Sequence, residues 1–496
     1  MPSGQNEDCL YLAVYAPTSA TSSSRLPVFV FIQGGGFSAD ADPNFNGTGL
    51  VAASGRNIIV VTFNYRVGAW GFLASTGSAS GQPYANNGLR DQRKAFQWVQ
   101  THIAQFGGDP SHVVLGGDSA GAASIALHLT AYGGRDDKLF QAAAAESLSF
   151  ATLLTTSQSQ YQWDNFTKAV GCSNTNAGTA LTCLRGKSAA AIEAQNFNIP
   201  FPGQTSPPLY MFQPTIDGDI VTDLTYNAFQ KGNFIQVPML IGDDTNGGTI
   251  FTPRATSSQA QSNAFMTNQF PYLTSSQLNT LSQLYPNPNQ SACPASGCWW
   301  RQVSNVYGEM RYMCPGLYIS SAYANLTATK KRFRRTLSRG ELDDGGTARI
   351  LNVIFPSLDG TSSSGSTAKS YAYRYNVEDP DQVAQGLGVP HVVEKNAIFG
   401  AGNTPDGVPA SYNSGQTNAA VIGVIQAYWT SFIRSYDPNT YKTDGSATWE
   451  EYYSSSGLPQ RLVFQTGGKT NMESLDNGLR ERCSYLASIG PSVLQK

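Results

Sequence analysis

Three short apolar runs mark the first quarter of the chain: Val28 to Ile32, Ile58 to Phe63 and Val113 to Leu115. Each is rich in β-branched or aromatic residues and bounded by Gly, Asn or Pro, which predicts buried strands. Between the last two the period changes: Leu89, Phe96, Val99 and Ile103 recur at helical spacing, with Asp91, Arg93 and Lys94 on the opposite, polar side. Between Pro27 and Ile125 apolar runs thus alternate with amphipathic stretches, the pattern of parallel strands joined by helices, so the predicted class is α/β. Val237 to Ile241 and Tyr371 to Val377 are further strand candidates. Phe150 to Gln236 and Ser257 to Tyr323 are rich in Ser, Thr, Asn, Gln and Pro with weak periodicity, and read as excursions capping the sheet. Residues 330–369 stand apart, opening on Lys330, Lys331, Arg332, Arg334 and Arg335 and closing on the Ser/Gly-rich run Thr361 to Thr367. This composition predicts a segment that does not pack, a solvated loop or translated intron, rather than a nuclear-localisation or polyanion-binding signal.

Composition narrows the partners. A chain of 496 residues with 41% hydrophobic and 11% aromatic content can bury a large core, and one large α/β domain spanning 1–496 is the expectation. A formal charge of −2 with 13% charged residues gives no electrostatic case for nucleic acid or an anionic membrane, so neutral or apolar small molecules or lipids fit better. No stretch reaches the roughly 18 to 20 apolar residues of a membrane-spanning helix, and the start has no apolar secretion signal. Seven cysteines and the sequons at Asn46, Asn165, Asn289 and Asn325 nevertheless match an oxidising secretory route. Cys172 with Cys183, and Cys293 with Cys298, are close enough for local disulfides, leaving Cys9, Cys314 and Cys483 and an odd count. No cysteine or histidine cluster has metal-ligand spacing, so neither a metal nor an organic cofactor is expected.

The chemistry starts at Gly117-Asp118-Ser119-Ala120-Gly121, directly after the strand Val113 to Leu115 and before the Ala-rich helical stretch Ala122 to Leu129. A serine at a tight strand-to-helix turn is exposed for nucleophilic attack, and such a turn needs glycine on both flanks because side chains there would clash. Gly34-Gly35-Gly36-Phe37 follows the strand Val28 to Ile32. Its unobstructed N–H groups, with that of Ala120, make a three-donor hole for a developing oxyanion, where losing one donor costs about 10²- to 10³-fold in rate. A phosphate loop would need a Lys-Ser/Thr sequel or a GxGxxG spacing, and neither is present. Of the four histidines, His102, His112 and His128 lie too near Ser119 along the chain, on the elements that build the turn. His391 lies in the Gly/Pro-punctuated loop Gly386 to His391, after the strand Tyr371 to Val377, where the chain order serine, acid, histidine puts a general base.

These motifs resemble one family. Glu7-Asp8-Cys9-Leu10-Tyr11-Leu12, Asn64-Tyr65-Arg66-Val67-Gly68, Phe106-Gly107-Gly108-Asp109-Pro110, Gly117 to Gly121, and Tyr428-Trp429-Thr430 followed by Asp437-Pro438-Asn439 are similar to successive signatures of the carboxylesterase, cholinesterase and type-B lipase family, secreted fungal members among them. The resemblance implies an α/β-hydrolase fold, a secreted serine ester hydrolase, Ser119 as nucleophile, His391 as base, and Gly35, Gly36 and Ala120 as the oxyanion hole. Three departures stand out. Where the family carries Asp-Glu-Gly-Thr, with the triad acid at the glutamate, this chain reads Asn246-Gly247-Gly248-Thr249, so the carboxylate position is Gly247. Asp243, Asp244 and Glu394 are the nearby alternatives, and a weakened esterase is the expectation. The start is short relative to the family, so Cys9 resembles a disulfide cysteine whose partner falls outside this sequence. The basic segment after Asn325 falls where relatives run directly into a strand. Two other readings stay open: a catalytically silent relative that binds a partner, and an esterase or cyclase dedicated to one secondary metabolite.

Overall fold

The computed structural model describes residues 7–39, 45–77, 85–288, 293, 296–323, 368–404, 407–453 and 457–496. The sequons at Asn289 and Asn325, and the segment 330–369 apart from Ala368 and Lys369, lie outside these residues. The described residues form a 9-stranded sheet. Its strands are β1 (Leu12–Tyr15), β2 (Leu26–Ile32), β3 (Ile59–Phe63), β4 (Gly108–Asp118), β5 (Ala142–Glu146), β6 (Met239–Asp244), β7 (Ser370–Asn376), β8 (Gln460–Gln465) and β9 (Lys469–Ser474). Their spatial order is β1-β3-β2-β4-β5-β6-β7-β8-β9, with antiparallel pairs only at the two edges, β1 with β3 and β8 with β9.

The interior strands have no polar face because helices cover both sides of the sheet. Along β2, Val28, Val30 and Ile32 pack on one side with Leu89, Phe96 and the helix Ala120–Gly134. Phe29 and Phe31 pack on the other with Tyr428 and Trp429 of the helix Ala419–Ser435. All five strand side chains are essentially inaccessible, and burying each contributes about 1.5–3 kcal/mol. The predicted strands and the predicted helix, Asn87–His102, are all present. One detail differs. Arg93 is not on a solvated face: it is buried beside the Tyr132 ring and ion-paired with Asp137, because Tyr132 and Asp137 lie directly over that part of the helix.

The polar excursions hold helices of their own, among them Thr156–Ala169, closed by a capping box between Thr155 and Gln158, and Gln259–Gln269. Gln259–Gln269, Trp300–Gly308 and the C-terminal helix Asn477–Ile489 build a third apolar cluster. A Cys314–Cys483 disulfide, spanning 169 residues, fastens that cluster, and Cys172–Cys183 and Cys293–Cys298 are also joined. Cys9 is exposed and belongs to none of the three. Asn165 is exposed on its helix, whereas Asn46 is half-buried and its side-chain oxygen accepts from Thr48.

Candidate active site

Register sets the site. In the parallel pairs Ile32 stands opposite Gly117, and Asp118 opposite Glu146, so the C-terminal ends of β2, β4, β5 and β6 finish at one edge of the sheet. At that edge β4 turns sharply into the helix Ala120–Gly134. Ser119 occupies the turn at φ 53°, ψ −113°, outside the favoured regions for a residue with a side chain. Packing enforces this conformation. A side chain at Gly121 would run into the Ile32 carbonyl, and one at Gly117 would lie 2.7 Å from the Gly121 backbone. Ser119 N donates to Glu146 O at 2.8 Å, and Ser149 N donates to Ser119 O at 3.3 Å, so both sides of the peptide are held.

Ser119 and His391 line one cavity of about 210 Å³, together with Gly34, Gly35, Gly36 and the apolar walls Phe45, Tyr210, Ile250 and Phe251. Gly35 and Gly36 adopt φ 100° and 64°, and Tyr210 covers Gly36 so closely that any side chain there would enter its ring. The glycine segment is anchored at two points: Gly34 N donates to Asp118 Oδ1 at 2.7 Å, and Gln213 Nε2 donates to Gly36 O at 2.8 Å. Ala120 follows as the first residue of its helix, with its N–H at the positive end of the helix dipole.

His391 is 6% exposed. Its ring lies against Tyr312 at a tilt of 33°, centroids 4.0 Å apart, and meets Phe251 edge-on at 5.2 Å. Neither ring nitrogen has a hydrogen-bond partner among the described residues. Burial first, then the positive charges of Arg311 and Lys395, hold its pKa well below the ordinary histidine value, which favours the neutral, proton-accepting ring. Among the other histidines, His112 engages Ile433 O and His128 engages Gln92 Oε1, and both do structural work.

The turn after β6 holds the His391 loop without supplying a carboxylate to the ring. Asn246 N donates to Val389 O and Val389 N donates back to Asn246 Oδ1, while Thr249 Oγ1 donates to Leu387 O. Asp244 Oδ2 accepts from Val392 N at 2.6 Å and from Ser147 Oγ at 2.9 Å. Glu394 Oε1 accepts from Tyr373 at 2.9 Å. None of Asp243, Asp244 and Glu394 is hydrogen-bonded to the imidazole. All three carboxyls are buried and all three pKa values are raised, chiefly by desolvation, Asp243 to about 8. At Gly247 a Cβ would lie 3.6 Å from Tyr312 Cδ2 and 3.8 Å from Asp244 O, in ordinary van der Waals contact.

Sequence reasoning missed Tyr210, Arg311 and Tyr312, which sit in the weakly periodic excursions and carry no local motif, and the loop-anchoring role of Asp244. Glu309, Cys314 and Cys483 bring potential metal ligands together, but the two sulfurs are bonded to each other and Glu309 pairs with Arg482.

The carboxylesterase family's sequence model matches residues 1–482. Secreted lipase 4 of Gibberella zeae is 27% identical over 97% of this chain and 78% of its own length. Lipase 2 of Geotrichum candidum is 32% identical over 64% of this chain and 60% of its own length. The crystal structure of Aspergillus niger EstA superposes with a TM-score of 0.84 at 39% identity, covering 100% of this chain and 86% of that one. A mostly parallel nine-stranded sheet flanked by helices, an α/β-hydrolase architecture in common with that structure, and a family match over nearly the whole length agree: the chain belongs to the carboxylesterase family and is an ester hydrolase of that kind.

Proposed function

We propose that the chain cleaves carboxylic esters by acyl transfer through Ser119. The reading rests on one observation: a serine forced into a strained strand-to-helix turn shares a cavity with a buried, neutral histidine and with the glycine segment Gly34 to Gly36. In the first half-reaction Ser119 Oγ bonds to the ester carbonyl carbon and its proton passes to His391. The N–H groups of Gly35, Gly36 and Ala120 stabilise the oxyanion, and the alcohol leaves with the proton from His391. Water, deprotonated by the same ring, then attacks the acyl-serine, and the acid departs as Ser119 recovers its proton. With Gly247 in the acid's position the imidazolium formed in each half-reaction lacks its counter-charge, so turnover is slow relative to a complete triad. The apolar walls at Phe45, Ile250 and Phe251 suit an apolar alcohol portion. The relatives named as secreted lipases, with three disulfides in this chain, support an extracellular site of action.

The test is a fluorophosphonate probe followed by peptide mapping, together with hydrolysis of short-chain ethyl esters. Label on Ser119 and hydrolysis lost in Ser119→Ala are expected. A folded protein that takes no label at Ser119 and releases no acid would instead be a silent relative that binds a partner.

A further inference from the structure

Arg311 is an unusual resident of the wall behind this cavity. It lies in the single π-helical turn Glu309–Met313, is 2% exposed, and forms no ion pair with a carboxylate among the described residues. Its Nε donates to Ser149 Oγ at 3.0 Å, and its guanidinium is enclosed by the rings of Tyr210, Tyr307 and Tyr312 at 5.6 to 5.9 Å. Arginine does not shed its proton, so this is a permanent buried charge, and a charge left without a counter-ion costs several kcal/mol. Partial compensation from three aromatic rings and the hydroxyls of Ser149 and Tyr312 does not replace a carboxylate.

The position matters as much as the charge. Ser149, which receives Nε, donates its own N–H to Ser119 O, so Arg311 is two hydrogen bonds from the predicted nucleophile. Tyr210 lines the cavity, and His391, which also lines it, lies against Tyr312. The guanidinium therefore stands behind two of the cavity's walls, with the half-buried Tyr210 ring against it. The second buried cation behind the wall, Lys496, donates to Gln213 Oε1, and burial with the Arg311 charge drives its pKa well below the ordinary lysine value, so Arg311 is the lasting charge there, while the half-buried Lys395 lines the cavity itself.

We infer that Arg311 is the anchor for a second carboxylate on the acid part of the substrate, making half-esters of dicarboxylic acids the preferred substrate class. The chain's small net charge points to neutral substrates overall, and Arg311 is a local exception on the acyl side. A bound carboxylate would neutralise the guanidinium, lifting its opposition to a protonated His391 and offsetting part of what the absent residue-247 carboxylate would have supplied. This inference rests on the ester-hydrolase reading above.

The experiment compares monoethyl succinate, glutarate and adipate with ethyl butanoate, pentanoate and hexanoate, quantifying the acid released by wild type, Arg311→Gln and Arg311→Lys. Wild type should favour the half-ester over its uncharged partner at one chain length by at least about tenfold in kcat/KM. That ratio should fall by about 30-fold or more in Arg311→Gln and by less in Arg311→Lys. Wild-type preference for the neutral ester at every length overturns the inference, whether or not the variants fold, while leaving ester hydrolysis standing. Hydrolysis of none of the six overturns the ester-hydrolase reading and this inference with it.

Discussion

Putting a carboxylate back at residue 247 is the most direct perturbation of this site. Gly247 does not adopt a left-handed conformation, and its Cβ would rest at 3.6 and 3.8 Å from its nearest neighbours, so Gly247→Glu is open to the backbone. A hollow of about 30 Å³ borders it, which leaves room for part of the new side chain. Removing the charge of the equivalent acid in a serine protease costs about 10⁴ in kcat, close to 5.5 kcal/mol of barrier. The full amount is not recovered here, because the new charge is partly desolvated and the hollow beside it is also lined by the carboxylate of Glu309. Allowing about 2 kcal/mol for these costs leaves an expected gain of about 10²- to 10³-fold in kcat on a short ethyl ester. The pH profile gives an independent check. The His391 pKa is now held low by burial, Arg311 and Lys395, so the acid limb of kcat/KM lies well below pH 6.5. A neighbouring carboxylate favours the imidazolium and must move that limb to higher pH. Gly247→Gln, with the same shape and no charge, is the control and should recover less than about a tenth of the gain. A folded Gly247→Glu enzyme with the wild-type kcat and an unmoved acid limb would refute the reasoning.

Other expectations follow from the same geometry. Gly36→Ala places a methyl in the Tyr210 ring at φ 64°, and should lower kcat by about 10²-fold or more with a smaller change in KM, measured by steady-state hydrolysis. Burial raises Asp243 from 3.8 to about 8, so its contribution to stability is complete below about pH 4 and is lost as pH rises through about 8. Asp243→Asn should therefore be more stable than wild type at pH 9 by at most about 5 kcal/mol in urea unfolding, with the advantage shrinking toward pH 5. Replacing Cys314 and Cys483 by alanine opens a link across 169 residues and should cost about 2–5 kcal/mol, read as a lower urea midpoint with a steeper slope, because the unlinked denatured chain exposes more surface.

The parts legible in the sequence are those whose cause is local. β2, β3 and β4 announce themselves as β-branched and aromatic runs, and the turn at Ser119 as two glycines with no space for a side chain. β5 is illegible for the opposite reason: Ala142 to Ala145 has poor strand propensity, and is a strand because β4 and β6 on its two sides pair with it and both its faces are buried. β8 and the edge strand β9 carry Gln, Arg, Lys and Asn, which conceal their alternation. The pairing of Cys314 with Cys483 is a fact of tertiary structure with no spacing to betray it. Arg93 shows the same limit in reverse, since its placement beside Tyr132 depends on a segment far from its own helix. At the site, His391 could be singled out because histidines are few. Arg311 and Tyr312 could not, because a π-helical turn in a polar excursion has no periodic signature.

The four hydrogen bonds that lash residues 244–249 to residues 387–392 bear on how such a protein can change. They run through backbone groups and the side chains of Asp244, Asn246 and Thr249, and none passes through residue 247. Where the histidine stands and how strongly its charged form is supported are therefore written in different residues. On the proposed mechanism, a mutation at 247 is expected to dim or brighten the chemistry without loosening this scaffold, one side chain at a time.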